Sequence, residues 1–356
     1  MKPILYPLST LKQIRDNFVD ELNQANQGKE TSLAFLKNPL IQQSSVSNGE
    51  IFQVIIVGGS IFKSALVKKE NNHLVIVSLF EKKLPLLKNK NIFFSLINKY
   101  LNVGVQIVAI NFAFPLQPLL RNNLLDGRLT SATKEHKLAG LINRFIGVEL
   151  EKYIRKRRIK VSVVSDTICL LLSSKTDVAG VVGTGTNFAF FLDKNTAVNL
   201  ESGNFNKFPQ TETGKEINKR SLNPGQQLFE KEVSGAYLYQ HYSVILSSTS
   251  ELNQLAEKGD FLAQKLFERS ASLIACQIAG IYLYQESNLK FKILNLKFIM
   301  EGSLFWQGYH YQDYVKKYLK LLTVPENAIS FIKINNSDII GIAQLAIGAN
   351  KPRYHL

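Results

Sequence analysis

The chain has 356 residues, of which 45% are hydrophobic and 20% charged, and 43 Lys and Arg residues against 28 Asp and Glu residues give a net charge of +15. This length exceeds what one hydrophobic core usually spans, and the composition excludes a disordered or fibrous protein, so we expect two packed domains. Cys169 and Cys276 are the only cysteines and lie in apolar runs, which argues against disulfides and a Cys-based zinc site and predicts two reduced core residues.

The excess of basic residues raises the question of a nucleic-acid partner. Residues 155–158 read Arg-Lys-Arg-Arg, and four lysines lie within residues 82–90. Neither cluster is interleaved with aromatic residues or belongs to a known nucleic-acid-binding motif, and such runs usually mark a solvated helix face. We therefore predict no nucleic-acid partner.

Targeting signals are the next question. The first nine residues do not form a secretory signal, and the longest apolar segment, Leu273–Tyr284, is shorter than the roughly 20 residues that cross a bilayer. The expectation is a cytoplasmic protein without a membrane partner, in which this segment forms a buried helix.

The first quarter of the chain changes from helical to strand periodicity. Apolar residues at helical spacing predict a helix over Leu11–Leu36. Runs rich in β-branched residues predict strands at Ile51–Val57, Phe62–Lys68 and His73–Phe80. The first two strands flank Gly58-Gly59-Ser60, so a three-stranded meander with a glycine turn is predicted.

The middle of the chain alternates helices, strands and a second glycine turn. The predicted elements are a helix over Ile92–Leu101, a buried strand over Val105–Phe112, a helix over Lys137–Arg157, and strands over Val161–Val164, Val178–Val182 and Phe188–Leu192. The last two strands flank Gly183-Thr184-Gly185. Because glycines let backbone N–H groups approach phosphate oxygens, two such turns are typical of a phosphate clamp built from two related halves.

The last third of the chain is mainly helical. Helices are predicted from Gln226 to Tyr284, followed by an apolar run over Leu294–Met300, a helix over Tyr309–Leu322, a strand over Ile329–Ile334 and a helix over Ile339–Ala349.

Seven strings, in order, carry a resemblance to a known family. They are Val57-Gly58-Gly59-Ser60, Phe112-Ala113-Phe114-Pro115, Ser165-Asp166-Thr167, Gly183-Thr184-Gly185-Thr186-Asn187, Glu212-Thr213-Gly214, Asn223-Pro224-Gly225-Gln226-Gln227-Leu228-Phe229-Glu230-Lys231, and Glu301-Gly302-Ser303-Leu304-Phe305. From about Phe18 to Gly348, the sequence resembles the hexokinase and glucokinase family of ATP:hexose phosphotransferases.

The resemblance implies an α/β protein with the two-domain actin-like ATPase (ribonuclease H-like) fold and a ligand cleft between the domains. The implied small domain comprises residues 50–165 and 341–356, and the implied large domain comprises residues 1–49 and 166–340. The implied activity transfers the γ-phosphoryl group of ATP to the 6-hydroxyl of a hexose, with glucose as the default substrate, in a monomer or homodimer.

The resemblance and the chemistry together assign residues to roles. Phosphorylation of a hydroxyl needs a carboxylate that accepts its proton, and Asp166 is the candidate base. The alternative for Asp166 is a helix N-cap. The candidate sugar ligands are Thr133, Lys134, Ser165, Asp166, Asn187, Glu212 and Glu230. The candidate ATP-binding residues are Gly58, Gly59, Ser60, Lys63, Gly183, Thr184, Gly185, Gly302, Ser303 and Ser337, and Mg²⁺ is expected to bind through ATP without direct side-chain ligands.

Some assigned positions have structural alternatives. A solvated loop is the alternative for Thr133 and Lys134, and an exposed carboxylate is the alternative for Glu212 and Glu230.

Several positions depart from the family pattern. Val57 stands where the family has an Asp that helps organise metal and phosphates, so either another oxygen such as that of Ser60 takes this role or metal handling is impaired. Ser165 stands for an Asn, Ala113 stands for a Ser, and the adenosine-side Gly-Ser-Gly segment is represented by residues 337–341. We expect altered sugar preference or affinity and an altered nucleotide pocket.

Two further hypotheses accompany the kinase. One is a catalytically weak or inactive sugar-binding sensor of the same fold, which Val57 favours and Asp166 disfavours. The other is an actin-like sugar kinase of the bacterial repressor-related group, which two cysteines disfavour because that group carries a Cys-rich zinc motif.

Overall fold

A computed structural model describes residues 5–40, 46–71, 73–132, 136–155, 158–288 and 295–348. The described helices are α1 (Leu8–Asn26), α2 (Lys90–Tyr100), α3 (Ile146–Tyr153), α4 (Asp166–Leu172), α5 (Glu212–Arg220), α6 (Glu230–Val233), α7 (Thr249–Glu257), α8 (Phe261–Asn288), α9 (Ser303–Gln307), α10 (Tyr311–Leu321) and α11 (Ser337–Ile347). The described strands are β1 (Leu36–Pro39), β2 (Ile51–Val57), β3 (Ile61–Glu70), β4 (His73–Lys83), β5 (Ile107–Phe112), β6 (Leu116–Arg121), β7 (Leu124–Leu129), β8 (Lys160–Val164), β9 (Val178–Val182), β10 (Thr186–Asp193), β11 (Thr196–Asn199), β12 (Leu296–Glu301) and β13 (Ile329–Ile332).

The chain forms two compact units. The first unit comprises Met1–Phe35, Gly180–Phe188 and Leu200–Lys333, and the second comprises Leu36–Ala179, Ala189–Asn199 and Ile334–Leu356. These boundaries assign residues 36–49, 166–179, 189–199 and 334–340 to a different unit from the one that the predicted domain bounds give them. The predicted domains stay a prediction.

The core of the second unit is a five-stranded sheet in the order β4-β3-β2-β5-β8. The strands β2, β3 and β4 pair antiparallel, which confirms the predicted meander, whereas β5 pairs in parallel with β2 and β8. Every residue of β5 is buried, as expected for a strand covered on both faces. The helices α2 and α3 contribute to the apolar core of this sheet.

The hairpin of β6 and β7 was not predicted from the sequence. Its two-residue loop, Asn122-Asn123, has positive φ at both positions (49° and 60°), the geometry of a type I′ turn. Asparagine tolerates this conformation, so the Asn-Asn pair was the available signal.

The predicted helix over Lys137–Arg157 is wrong in its first half, because only Ile146–Tyr153 is helical among the described residues. Leu138, Gly140 and Asn143 all have positive φ, which a right-handed helix excludes.

The first unit is built around α8, which is buried along most of its length and includes the predicted buried helix. The helix α1 packs against it closely, since a Cβ on Gly280 would lie 2.7 Å from the ring of Phe18. Strands β12 and β13 pair in parallel. Cys169 and Cys276 are free and buried, as predicted. Within the described ranges, none of the helices has the length and apolar character needed to span a bilayer.

Candidate active site

The second glycine turn, Gly183-Thr184-Gly185, is held by several segments of the first unit. Within the turn, Gly183 N–H donates to the carbonyl of Gly185 at 2.9 Å. The carbonyls of Gly183 and Thr184 accept from Gly235 N–H at 2.7 Å and Ala236 N–H at 3.0 Å. Thr184 is exposed at the tip of the turn, where a phosphate can reach its backbone. The turn therefore has fixed geometry and an accessible edge.

Close contacts require glycine at two positions of this turn. A Cβ on Gly183 would lie 3.0 Å from the Cα of Gly302, and a Cβ on Gly185 would lie 2.7 Å from Oε2 of Glu230. Four predicted site residues from three parts of the sequence are thus packed together.

Glu230, a predicted sugar ligand, is bonded to the chain next to the second glycine turn, which is predicted to bind ATP. Its Oε2 accepts from Thr186 N–H at 2.9 Å, directly after the glycine turn, and its Cβ lies 3.1 Å from where a Cβ on Gly203 would be. Its side chain is partly exposed, so it retains access to a ligand.

Asn187 follows Thr186 and is fixed through its amide oxygen. Oδ1 accepts from Phe188 N–H at 2.8 Å and from Ser202 N–H at 3.1 Å. The structure therefore brings Asn187 and Glu230 to the same short segment.

Glu212 lies in a different setting, as the exposed first residue of α5. It forms an ion pair with Lys215 at 3.1 Å. The N-cap is Thr211, whose Oγ1 accepts from Gly214 N–H at 2.9 Å and whose backbone N–H donates to Glu232 at 2.8 Å. The position of Glu212 is therefore set by a cap that bonds to a buried carboxylate.

That carboxylate belongs to a buried charged cluster of Glu232, Arg269 and His241. Burial raises the pKa of Glu232, and Arg269, 3.5 Å away, opposes the rise. Burial, and then the charge of Arg269, lower the pKa of His241 to about 3, so the ring is neutral at pH 7. Its Nε2 donates to the carbonyl of Lys231 at 2.9 Å.

The first glycine turn closes the hairpin of β2 and β3 in the second unit. Gly58 N–H donates to the carbonyl of Ile61 at 2.9 Å, and the carbonyl of exposed Ser60 accepts from Leu84 N–H at 2.8 Å. The side chain of Val57 is fully buried in the apolar core that includes Phe62 and Phe112. The position that has Asp in the resembled family is therefore a core position in this chain.

Lys63 and the start of α11 meet beside this hairpin. Nζ of Lys63 lies 2.8 Å from Oδ2 of Asp338, and Glu81 lies 3.7 Å away. Ser337 is buried, whereas α11 approaches α4 so closely that a Cβ on Gly341 would overlap the carbonyl of Cys169. The predicted nucleotide segment therefore packs on the helix that begins with Asp166.

Asp166 is the first residue of α4, directly after β8. Ser165 occupies the N-cap position, so the N-cap alternative for Asp166 is wrong. Oδ1 of Asp166 accepts from Thr167 N–H at 2.7 Å and Thr167 Oγ1 at 3.1 Å. The carboxylate is partly exposed at the N-terminus of this helix.

A small cavity of about 10 Å³, close to the space that one water requires, lies beside the neighbouring residue Ser165. Its polar lining includes Ser165, Asn199, Asn38 and Asp126. The Asp126 carboxylate anchors the β6–β7 hairpin by accepting from Gly147 N–H at 2.8 Å and from two other backbone N–H groups. The hairpin therefore forms one wall of the space beside Ser165.

Comparison with known proteins shows which family the chain is similar to. The family model described as Hexokinase matches residues 177–264 and 248–347, which include the second glycine turn, Glu212, Glu230, Gly302 and Ser337. The chain belongs to the hexokinase family. Hexokinase-1 of Saccharomyces cerevisiae is 24% identical over 293 residues, which cover 70% of this chain but only 60% of the yeast protein.

Solved structures of hexokinases show the same fold. A Schistosoma mansoni hexokinase complexed with glucose covers 97% of this chain with a TM-score of 0.74 at 18% identity, and the match spans 96% of that chain. A ROK hexokinase from Thermus thermophilus covers 84% with a TM-score of 0.57 at 13% identity, and the match spans 98% of that chain. The predicted two-domain actin-like ATPase fold is confirmed.

The remaining predicted site residues are Thr133, Lys134 and Ser303. Thr133 and Lys134 lie outside the described residues. Ser303 is the exposed first residue of α9. Among the residues described, no group of three or more His, Cys, Asp or Glu side chains is placed to hold a metal ion.

The residues that sequence reasoning missed are buried charges of this hexokinase-family chain. Lys231 and Glu232 directly follow Glu230, and Arg269 lies within α8. Lys231 ends the string Asn223–Lys231, but Lys, Glu and Arg are rarely fully buried, so the sequence offered no reason to place them inside.

Proposed function

We propose that this hexokinase-family chain is an ATP-dependent sugar kinase that phosphorylates the 6-hydroxyl of a hexose, with glucose as the first candidate. The observation that carries the proposal is the bond from Thr186 N–H to Glu230 at 2.9 Å. It links a carboxylate suited to sugar hydroxyls directly to a glycine turn suited to phosphate. A phosphoryl-transfer site needs these two functions close together.

The proposed sugar ligands are carboxylates, amides and hydroxyls. Glu230 and Asn187 are held rigidly beside the second glycine turn, and Ser165 lines the small cavity next to Asp166. Rigid acceptors and donors replace the hydrogen bonds that sugar hydroxyls lose when they leave water. Glu212, Thr133 and Lys134 remain proposed ligands.

The phosphates of ATP are proposed to bind at Gly58, Gly59, Ser60 and Lys63 and at Gly183–Gly185, with Gly302, Ser303 and Ser337 on the nucleotide side. The second turn suits a phosphate because Thr184 at its tip is exposed and its two glycines have no Cβ that would keep phosphate oxygens from the backbone. Bound Mg²⁺ would neutralise charge on the phosphates. Because Val57 is a core residue, this chain offers the metal no carboxylate at that position.

Asp166 is the proposed general base. Its place at the start of α4 and its contact with Thr167 fix its direction. A fixed carboxylate that is partly exposed can take the proton of an attacking hydroxyl.

The test measures ADP release from purified protein with ATP, Mg²⁺ and glucose. Asp166→Asn keeps an oxygen acceptor for Thr167 but removes the base, and we expect a loss of at least about 100-fold in kcat. Asp166→Ala should lose as much. Glucose binding without turnover in the parent protein would contradict the kinase proposal and favour the sugar-binding sensor.

A further inference from the structure

Lys231 is a buried cation next to the proposed sugar ligand Glu230. Its side chain has no exposure to solvent, which is rare for lysine. Its ammonium donates to three oxygens: Oδ1 of Asn218 at 2.9 Å, the carbonyl of Asn223 at 2.8 Å and the carbonyl of Gln226 at 2.8 Å. An ammonium has three N–H donors, so all of them are used.

These three oxygens come from one continuous stretch of chain. Asn218 lies in the last part of α5, and Asn223 and Gln226 lie in the loop that leads to α6. The loop contains two left-handed residues, Gly225 at φ 83° and Gln227 at φ 51°. Such a loop does not hold its shape by regular backbone pairing, so the buried ammonium acts as its central cross-link.

Asn218 strengthens this cross-link because its Oδ1 also accepts from Gly225 N–H at 2.9 Å. Asn223 Nδ2 donates to Gln227 Oε1 at 2.8 Å, and Gln227 N–H donates to Asn204 Oδ1 at 3.2 Å. We call Lys231, Asn218, Asn223 and Gln226 the Lys231 cluster. It fixes the loop that immediately precedes α6.

The helix α6 has only four residues, Glu230–Val233, so it cannot orient Glu230 by its own stability. Its direction depends on what holds its first turn. Lys231, directly after Glu230, is held by the Lys231 cluster. Phe229, directly before Glu230, donates its N–H to the carbonyl of Gly203 at 3.1 Å. Glu230 is thus flanked on both sides by residues with long-range bonds.

We propose that Lys231 is a positioning residue for sugar binding, which acts by fixing the direction of Glu230 and makes no contact with the sugar itself. This inference rests on the proposed function, because it takes Glu230 to be a sugar ligand. It assigns a role to a residue for which exposure on the surface would be the default.

The test compares Lys231→Met with Lys219→Met, a control that removes an exposed lysine paired with Glu216 on α5. In Lys231→Met we expect KM and Kd for glucose to rise at least about tenfold, while KM for ATP changes by less than about twofold. A loss of folded protein alone lowers the apparent kcat and leaves both KM values unchanged. Lys219→Met should match the parent.

A second pair of variants serves if Lys231→Met fails to fold. Asn218→Asp keeps an oxygen for the ammonium and for Gly225, whereas Asn218→Leu removes it. We expect weaker glucose binding in Asn218→Leu and near-parent binding in Asn218→Asp. Equal binding in both variants, or an unchanged glucose Kd in folded Lys231→Met, would overturn the inference.

Amide hydrogen exchange separates this inference from the proposed function. Without any ligand, residues 226–234 should exchange faster in Lys231→Met and Asn218→Leu than in the parent, and unchanged exchange would refute the cross-link. A parent that neither binds nor phosphorylates a hexose contradicts the proposed function. A parent that binds glucose as tightly as Lys231→Met contradicts only the role of Lys231.

Discussion

The two glycine turns differ in what holds them. The first turn, Gly58–Ser60, closes a hairpin whose own strands supply most of its support, with the bond from Gly58 N–H to Ile61 inside the hairpin. The second turn, Gly183–Gly185, is bonded to Gly235 and Ala236 and packed against Gly302 and Glu230. The second turn therefore depends on residues up to about 120 positions away, and its geometry is specified by tertiary structure.

This difference teaches why the second turn carries the clearer sequence signal. A turn that is packed against backbone from several segments tolerates few residue types, so its sequence stays recognisable. The first turn is a local hairpin with a core valine behind it, and it accepts Val57 where the resembled family has an acid. The predictions below test this contrast, from the largest expected effect to the smallest.

Gly302→Ala should break the second turn. Gly302 has φ 110°, and a Cβ there would overlap the Val182 carbonyl, so we expect a loss of more than about 3 kcal/mol in the free energy of unfolding. In Gly58→Ala the Cβ would lie 3.1 Å from the Ile61 carbonyl, and the expected loss is about 1 kcal/mol. Urea unfolding of both variants measures the contrast, and similar losses would contradict it.

Glu230→Ala tests whether the Glu230 carboxylate stabilises the second turn, and Glu216→Ala is the control for the loss of a surface carboxylate. Glu230→Ala leaves Thr186 N–H without its carboxylate, which costs about 1–3 kcal/mol for a buried donor, and it should also weaken glucose binding. Glu216→Ala removes an exposed carboxylate of α5 and should leave the unfolding midpoint in place. A parent-like midpoint in Glu230→Ala would mean that Glu230 does not support the turn.

The buried cluster of Glu232, Arg269 and His241 should make the free energy of unfolding depend on pH. His241 stays neutral in the folded state down to about pH 3, whereas in the unfolded chain it binds a proton below about pH 6.5. The unfolded state therefore binds more protons in this window, and stability falls as pH falls from about 6.5 toward 3. As the pH falls from about 7 to about 5, His241 should lower the free energy of unfolding by roughly 1–2 kcal/mol.

His241→Gln removes that titration and keeps a side-chain N–H that can donate to the Lys231 carbonyl. Glu232 and Arg269 are present in both proteins, so the difference between the two pH profiles isolates His241. The variant should show a shallower decline in urea-unfolding free energy below about pH 6.5. Parallel profiles would contradict a neutral buried ring.

Asp338→Asn tests the surroundings of the first turn and should have the smallest effect. It removes the ion pair with Lys63, whose side chains are 19% and 20% exposed, and partly exposed pairs contribute about 1 kcal/mol or less. The difference in unfolding free energy between parent and variant should shrink at high salt. A salt-independent loss well above this size would show that Asp338 has a structural role beyond its charge.

The sequence predicted the parts of the fold that depend on local patterns. The strand Ile51–Val57 is confirmed at both ends, because a mostly apolar, β-branched run that contains only one polar residue, Gln53, and ends at Gly58 indicates a buried strand. The β6–β7 hairpin was missed, because Pro118 interrupts its first strand and paired leucines obscure the alternation of apolar and polar residues. The prediction of a helix in the residues before α3 was wrong, because residues other than glycine that adopt a left-handed conformation give little sequence signal for a break in a helix.

For the candidate site, sequence strings located both glycine turns, Glu230 and Asn187, and the structure groups the second turn, Glu230 and Asn187 around Thr186. They could not reveal Lys231, Glu232 and Arg269 as buried charges, since each depends on partners that only tertiary contacts supply. Val57 was interpreted as a lost metal-organising group, and the structure adds that it is a core residue. Val57→Asp would therefore bury a carboxylate among apolar side chains and would not restore a site cleanly.

The most direct test of the proposed kinase is single-turnover ADP formation by the parent and by Asp166→Asn, at glucose concentrations that calorimetry shows to saturate both proteins. The kinase proposal predicts rapid glucose-dependent ADP formation in the parent and a loss of at least about 100-fold in the variant at equal glucose occupancy. Equal rates in the two proteins, or no glucose-dependent ADP formation in a parent that binds glucose, would contradict it.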